Sequence, residues 1–263
     1  EIHERLVGSE MCIRDRQRAV IGGYDIQAGI SIETFSDKSY LYDWARIRFT
    51  RQFNGILSLN RGDEAEILMG YDGRLQTIFK GCVARQYNAA TYKDEILIKD
   101  YTLKLEESRI SGTFLDVTPQ DLVQIGLASA GIGSAVLSAE GYAARPLVSI
   151  REQPVSEFLM YIDSLWGIRT TKAFQLGTFY WSEKPEQSEM YVLEYGNNII
   201  SLTRERGLWK LETVALPDLH HSCQIKVVHP EISGVFYVDK VIFSSDDRGF
   251  VRTKIFFGGE DKS

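Results

Sequence analysis

The stretch VTPQDLVQIGLASAGI (117–132) interrupts a chain whose pattern is otherwise mainly that of β-strands. Thr118 is a preferred N-cap residue, and Pro119 fits the first position of a helix because a proline there sacrifices no hydrogen bond. Gly131 can end the helix in the left-handed conformation. The sequence therefore predicts a helix near 119–130.

A second stretch, QPVSEFLMYIDSLWGI (153–168), repeats this plan. Its apolar residues recur at helical spacing and form one stripe: Val155, Phe158, Leu159, Ile162, Leu165 and Trp166. Gly167 follows as a helix terminator. The sequence predicts a second helix near 155–166.

Strand patterns lie on both sides of these helices. Alternating runs between residues 28 and 106 predict several short strands, including a hairpin that turns at Asp72-Gly73. SCQIKVV, GVFYVDKVIF and FVRTKIFF predict strands near the end of the chain, which form a second barrel or return to the first. The predicted class is α+β, mainly β, with two small β-barrel-like domains flanking a helix-containing middle region.

The predicted domain limits are 17–110 for the first β-barrel-like domain, 111–205 for the α+β middle region and 206–263 for the closing β-barrel-like module. Residues 1–16 show neither strand nor helix periodicity and lack the pattern of a signal peptide. Residues 6–16 resemble one translated frame of a transposase-based sequencing adapter, as in a metagenomic library. Genuine gene sequence is expected to begin near Gln17; an authentic polar leader is the alternative.

Composition narrows the classes of partner. The net charge is −6, which argues against a surface for duplex or sequence-specific nucleic acid. Outside residues 1–16 only Cys82 and Cys223 occur, so we expect no disulfide framework and a reducing compartment for folding. No apolar stretch reaches the length of a transmembrane helix, so no membrane segment is expected.

One predicted strand carries a candidate interface. In SYLYDWARIRFT (39–50), residues Leu41, Ala45, Ile47 and Phe49 share one parity and predict a buried face. The opposite parity is aromatic and basic, and we name this set the aromatic–basic face: Tyr40, Tyr42, Trp44, Arg46 and Arg48. Such a face could stack single-stranded bases, but aromatic residues and arginine are also enriched at protein interfaces. With an acidic chain, the protein interface is favoured.

The sequence gives little support for a catalytic site or a metal site. His221, Cys223 and His229 are candidate metal ligands, with His221 and Cys223 about 7 Å apart along an extended strand. Cys223 also fits the apolar side of its strand, and its interpretation as a buried core residue is favoured over that as a metal ligand. GIGSAV (131–136) lacks the third glycine of a nucleotide-binding loop, and Asp246-Asp247 fits a turn. We expect no enzyme activity, cofactor or metal.

The order of these segments resembles the phage tail baseplate hub family, which includes late control D proteins and hub proteins of Gram-positive prophages. The stretches that carry the resemblance are TPQDLVQIGLASAGI (118–132), PVSEFLMYIDSLWGIRTTKAFQLGTFYWSE (154–183) and LPDLHHSCQIKVVHPEISGVFYVDKVIFSSDDRGFVRTKIFF (216–257). The chain departs from the family at His220-His221-Ser222, where Gly-Asp commonly follows the Pro-x-Leu element.

This resemblance implies two barrel-like tube domains around a helical middle region and a structural role. Family members assemble as a ring, usually a trimer, that joins the tail tube to a spike or tail tip. The implied partners are further copies of the chain and the tail tube, tape-measure and spike or tail-tip proteins. The implied place is the virion tail, after folding in the cytoplasm of the bacterial host. The alternative is a tail-associated protein that binds or degrades cell-wall carbohydrate.

Overall fold

A computed structural model describes residues 15–40, 42–53, 55–71, 74–85, 87–88, 95–187 and 189–258. Within these residues the chain is mostly β-strand, with three α-helices, so the predicted α+β, mainly β class is confirmed. The adapter-like residues 1–14 lie outside the described part. Asp15 and Arg16 begin the first strand and pair with Tyr71 and Gly70.

The elements before the helical region are mainly strands. They are β1 (Asp15–Ile21), β2 (Tyr24–Ile26), β3 (Ile30–Asp37), β4 (Trp44–Phe49), a 3₁₀ turn (Arg51–Phe53), β5 (Ser58–Leu59), β6 (Glu64–Tyr71), β7 (Arg74–Val83), β8 (Tyr87–Asn88) and β9 (Glu95–Lys99). β6 and β7 form the predicted hairpin; its turn residues 72–73 lie outside the described residues.

The middle of the chain contains the three helices. Its elements are α1 (Thr102–Glu107), β10 (Arg109–Val117), α2 (Pro119–Ser129), β11 (Ala135–Leu137), β12 (Arg145–Pro154), α3 (Val155–Trp166), β13 (Lys172–Gln175) and β14 (Thr178–Trp181). The last part is again β: β15 (Tyr191–Glu194), β16 (Ile199–Glu205), β17 (Leu208–Thr213), β18 (Gln224–Val228), β19 (Ser233–Ser245) and β20 (Val251–Phe257).

Thirteen of the described strands form one sheet that combines both ends of the chain. Its main order is β16-β17-β20-β19-β3-β4-β9-β7-β6-β1-β2, and β18 joins β15 to β19. β19 pairs antiparallel with β3, with Phe243 opposite Thr34. The last β segment therefore returns to the sheet of the first, which is one of the two arrangements that the sequence left open.

Two hydrophobic cores divide the described residues. The larger core, which we call the body, draws buried side chains from 19–98 and from 193–257. The smaller core, which we call the helical module, is built from 105–181. The predicted limit at 110 lies near the start of the helical module, whereas Leu193, before the predicted limit at 205, already packs in the body. The domain limits stay a prediction.

Helices α2 and α3 lie where the sequence predicts them and pack on each other. Thr118 caps α2: its hydroxyl accepts from the N–H of Asp121, while its own N–H donates to the Asp121 carboxylate. Gly126 of α2 permits close approach, because a Cβ there would lie 3.1 Å from the Phe158 ring of α3. Phe158 is fully buried, as the apolar stripe predicts.

The hairpin β13–β14 turns at residues 176–177, between the paired Gln175 and Thr178. Leu176 and Gly177 both have positive φ angles, 47° and 88°. Two successive positive φ values are typical of the primed turn that matches strand twist in two-residue hairpins. β14 also pairs in parallel with β11, so this hairpin becomes a three-stranded sheet beside the helices.

The cap of α2 gives a direct stability test. Thr118→Ala removes the hydroxyl that accepts a helix N–H, so we expect the free energy of unfolding to fall by about 1 kcal/mol. Chemical denaturation measures this loss. Gln124→Ala, on an exposed position of the same helix, is the control and should change stability little. Equal stability of the wild type and Thr118→Ala would contradict the role of the cap.

Candidate interaction surface

Strand β4 positions three of the five residues of the aromatic–basic face as predicted. Ala45, Ile47 and Phe49 are buried in the body, so Trp44, Arg46 and Arg48 project from the opposite side of the sheet. Leu41, the fourth residue predicted for the buried face, lies outside the described residues.

The prediction that the strand already includes Tyr40 and Tyr42 is wrong. β4 begins at Trp44, and both tyrosines lie in the loop that connects β3 to β4. The loop is set by Asp37, whose carboxylate accepts the N–H of Ser39 (2.8 Å) and whose carbonyl accepts the N–H of Tyr40 (3.1 Å). Such side-chain-to-backbone bonds favour a turn over continued strand. Tyr40 nevertheless remains 60 % exposed.

Aromatic rings link this loop to the strands. Phe35 of β3 lies opposite Trp44, and their rings stack with centroids 5.0 Å apart. The Tyr40 ring also contacts Phe35, in an edge-to-face arrangement with centroids 5.5 Å apart. The Lys99 ammonium of β9 lies 3.8 Å from the Tyr42 ring centre. The five predicted residues therefore belong to one surface, which also includes Phe35 and Lys99.

Carboxylates of the same chain lie beside the cations of the face. Arg46 and Arg48 both pair with Glu95, at 3.2 and 2.8 Å. Arg46 also lies over the Trp44 ring, 5.3 Å from its centre. Glu95 and, more weakly, Glu33 raise the pKa of Arg48, and Glu33 also lies opposite Arg46, so two carboxylates accompany the two guanidinium groups. Such a surface, with exposed aromatic rings beside paired charges, suits contact with another protein.

Hydrogen bonds between Asp43 and Asp100, which we call the carboxyl pair, anchor the same loop. The N–H of Asp43 donates to the Asp100 carboxylate (2.8 Å), and the N–H of Asp100 donates to the Asp43 carbonyl (3.0 Å). Thr102, the first residue of α1, donates its N–H to the other Asp100 oxygen (2.9 Å). The pair therefore ties the β3–β4 loop to the junction where the body leads into the helical module.

Burial keeps this pair partly protonated near neutral pH. Desolvation, reinforced by the neighbouring Asp100 carboxylate, raises the pKa of Asp43 to about 8. Desolvation raises the pKa of Asp100 to about 6; Asp100 is only 4 % exposed. Burial lowers the pKa of His221 beside them, which disfavours the charged form of this imidazole. The two carboxyl groups together therefore carry less than two full negative charges near neutral pH.

A cleft of about 690 Å³ opens between the body and the helical module above this carboxyl pair. Residues from the loop, β13, the His221 turn and β19 line it, among them Tyr40, Tyr42, Asp43, Phe174, His221 and Lys240. The volume is in the range of small-ligand pockets, and tyrosine rings beside carboxyl groups are chemically able to contact a sugar or a peptide. The loop that carries Tyr40 thus borders both the exposed face and the cleft.

The candidate metal ligands are not brought together. Among the described residues, no three His, Cys, Asp or Glu side chains are placed so that they could hold a metal ion. Cys223 packs against the core of the body, while Nδ1 of His229 accepts the N–H of Glu231 (3.1 Å). His221 Nδ1 lies 3.0 Å from the Ser222 hydroxyl.

The two remaining sequence motifs have structural roles. Gly131 of GIGSAV has a φ of 70° and follows the end of α2, and the segment continues into β11. Asp246 accepts the N–H groups of Arg248 and Phe250 through one carboxylate oxygen, each at 3.0 Å. This is the turn-forming use of aspartate that the sequence predicts. No helix in the described part of the chain has the length and apolarity to cross a bilayer.

Sequence comparisons give no relatives: no protein-family model matches the chain, and no curated protein matches it. Solved structures do match. A prophage tail protein from Shewanella oneidensis aligns over 93 % of this chain and 98 % of its own, with a TM-score of 0.68 and 13 % identity. The chain has the fold of a phage tail protein.

Two further structures agree with that fold. A tail protein from Neisseria meningitidis gives a TM-score of 0.65 at 14 % identity, covering 94 % of this chain and 97 % of its own. An Escherichia coli component of the type VI secretion system, described as similar to the T4 tail proteins gp27 and gp5, gives 0.59 at 15 % identity. That alignment covers 93 % of this chain and 77 % of the E. coli chain.

The carboxyl pair makes stability depend on pH. Since the folded state binds protons that the unfolded state releases near pH 4, stability should fall as pH rises from about 4 to about 8. Asp43→Asn removes one titrating group, so we expect a flatter profile and a free energy of unfolding at pH 8 higher by at least about 1 kcal/mol. Urea denaturation at pH 5 and at pH 8 measures this.

Asp25→Asn is the control for this experiment. Asp25 is exposed and paired with Arg18, which lowers the pKa of its carboxyl. Its substitution should leave the decline between pH 5 and pH 8 in place. An unchanged decline in Asp43→Asn would show that the pair does not titrate as described.

Proposed function

We propose that this chain is a structural hub protein of a phage or prophage tail, and that copies of it form a ring between the tail tube and a spike or tail tip. The observation that carries the proposal is the tail-protein fold, which matches the prophage protein from Shewanella oneidensis over 93 % of this chain. The order of segments in the sequence, which resembles the baseplate hub family, supports the same role independently of the fold comparison.

The exposed surface supports assembly with other proteins. Tyr40 is 60 % exposed and Tyr42 38 % exposed, and both belong to the same surface as Arg46 and Arg48. Tyrosine and arginine are the residue types that most often contribute large shares of binding energy at interfaces. We propose the aromatic–basic face as a contact surface, with further copies of the chain as its first partners. Tail tube, tape-measure and spike or tail-tip proteins are the other proposed partners.

The ring proposal predicts self-association. The purified protein should form a trimer at micromolar concentration in sedimentation velocity or light-scattering measurements. Tyr40→Ser should raise the dissociation constant of the assembly about tenfold, because it removes an exposed aromatic anchor.

Tyr161→Ser is a matched control, since Tyr161 is 39 % exposed on α3 and distant from the face in sequence. It should leave the assembly intact. A wild-type protein that stays monomeric at every accessible concentration would contradict the ring proposal.

A second candidate function is binding of cell-wall carbohydrate. The observation that favours it is the cleft, where Tyr40 and Tyr42 lie beside the Asp43–Asp100 pair. Incubation with purified peptidoglycan separates the two candidates. Retention on the glycan that is lost in Tyr42→Ala, or release of soluble fragments, would favour this second function; no retention and no turnover would favour the hub.

A further inference from the structure

Strand β13 has one edge that borders the cleft. It is the outermost strand of the sheet β11-β14-β13, and among the described strands only β14 pairs with it. Its residues 172–174, with Thr171 before them, line the cleft between the body and the helical module. An unpaired strand edge is a template to which another chain can add a strand.

The register of the hairpin shows which backbone groups lie on this edge. In an antiparallel pair, residues that exchange hydrogen bonds with the partner strand alternate with residues that direct both backbone groups away from it. Gln175 closes the two-residue turn, and the Thr171 carbonyl accepts the N–H of Ser182 (2.8 Å). The odd-numbered residues of β13 therefore bond to β14. The N–H and C=O groups of Lys172 and Phe174 point to the free edge.

These backbone groups are suited to a peptide main chain. Phe174 is only 7 % exposed, and within the described ranges no residue forms a hydrogen bond with the backbone N–H or C=O of Lys172 or Phe174. Buried backbone groups are nearly always paired in folded proteins, because an unpaired one loses its hydrogen bonds with water. The two residues present a donor and an acceptor each, about 7 Å apart, which is the repeat of an extended strand. A sugar ring has no such repeat.

The walls of the cleft indicate which side chains such a peptide would carry. Tyr40 and Tyr42 are exposed rings in its lining. Four lysines and five acidic residues line it as well. Lys38 pairs with Asp239, and the raised pKa values of the carboxyl pair keep that pair partly protonated. Since positive and negative charges nearly balance, an uncharged segment with aromatic or aliphatic side chains fits this lining better than a charged one.

We propose that the free edge of β13 binds an extended, uncharged segment of a partner protein, which adds as a strand in the cleft. The main chain of the segment exchanges hydrogen bonds with Lys172 and Phe174, and its side chains contact Tyr40 and Tyr42. The four residues of β13 span about 13 Å, so a segment of about five residues is long enough. This inference goes beyond the proposed function and does not depend on self-association.

Hydrogen exchange in the free protein tests the edge itself. The amide hydrogens of Ala173 and Gln175 bond to β14, so they should exchange at least about tenfold more slowly than those of Lys172 and Phe174. NMR spectroscopy of the full chain measures each rate. Protection of Phe174 equal to that of Ala173 in the dilute protein would show that the edge is already paired and would overturn the proposal.

Peptide titration tests the occupant. The probes are four acetylated and amidated hexapeptides in which valine alternates with threonine, serine, tyrosine or glutamine. At millimolar concentration at least one should shift the amide signals of Lys172 and Phe174. Methylation of every second peptide nitrogen leaves one edge of the probe intact and should preserve binding, whereas methylation of every nitrogen should abolish it.

Lys172→Pro tests the protein side of the contact, with Lys172→Ala as its matched control. Both variants lose the ion pair between Lys172 and Asp163, but only proline removes an N–H from the free edge. Lys172→Pro should bind the probe about fivefold more weakly than Lys172→Ala, which is the effect of one lost hydrogen bond. Both variants should unfold at similar temperatures, because every bond to β14 is retained.

The outcomes separate this inference from the proposed function. Equal binding by Lys172→Pro and Lys172→Ala, or no binding of any probe, overturns the added strand but leaves the ring. N-acetylglucosamine oligomers that shift the Phe174 signal when no peptide does would assign the cleft to carbohydrate instead. Protection of Phe174 that appears only as protein concentration rises would identify a second copy of this chain, rather than a separate partner, as the occupant. A monomeric wild type that binds the probes overturns the ring and supports this inference.

Discussion

The pairing of β19 with β3 is the constraint on which the rest of the structure depends. It joins strands about two hundred residues apart in the chain, with Lys240 opposite Asp37 and Ser245 opposite Ile32. Through it the two β portions share one sheet and one core. The same pairing brings Lys240 near Phe35, 5.5 Å from its ring centre, and places the His221 turn beside the Asp43–Asp100 pair. The cleft, which β19 and the His221 turn help to line, therefore depends on this pairing.

Local patterns predicted the elements well because their causes are local. The Thr118 cap and the apolar stripe of α3 act within a few residues, and both helices were found at the predicted positions. Alternation in SCQIKVV correctly predicted that Ile225 and Val227 are buried. The identity of neighbouring strands was not accessible in this way, because register between distant segments depends on the whole core. The return of the last strands to the first sheet thus stayed one of two alternatives.

The candidate surface was predictable to the same limited extent. Trp44, Arg46 and Arg48 follow from alternation in one strand, whereas Phe35 and Lys99 reach the surface only through the pairing of β4 with β3 and β9. Asp43 and Asp100 are 57 residues apart and meet because the start of β4 lies antiparallel to the end of β9. The signal that could have revealed them is an Asp next to an aromatic residue, just before β4 begins and just after β9 ends. The start of β4 at Trp44 rather than at Tyr40, which follows from the Asp37 turn, could not be read from alternation.

The division into two cores has a consequence for the order of folding during synthesis. The helical module is built from one continuous segment, 105–181, so all its partners have emerged when that segment leaves the ribosome. The body must wait for β20, which ends at Phe257. Until then β3 lacks its neighbour β19, and the apolar side of the first β portion lacks the part of the core that comes from 193–257. A chain that stops before β18 would contain every residue of the smaller core but would leave this apolar side exposed.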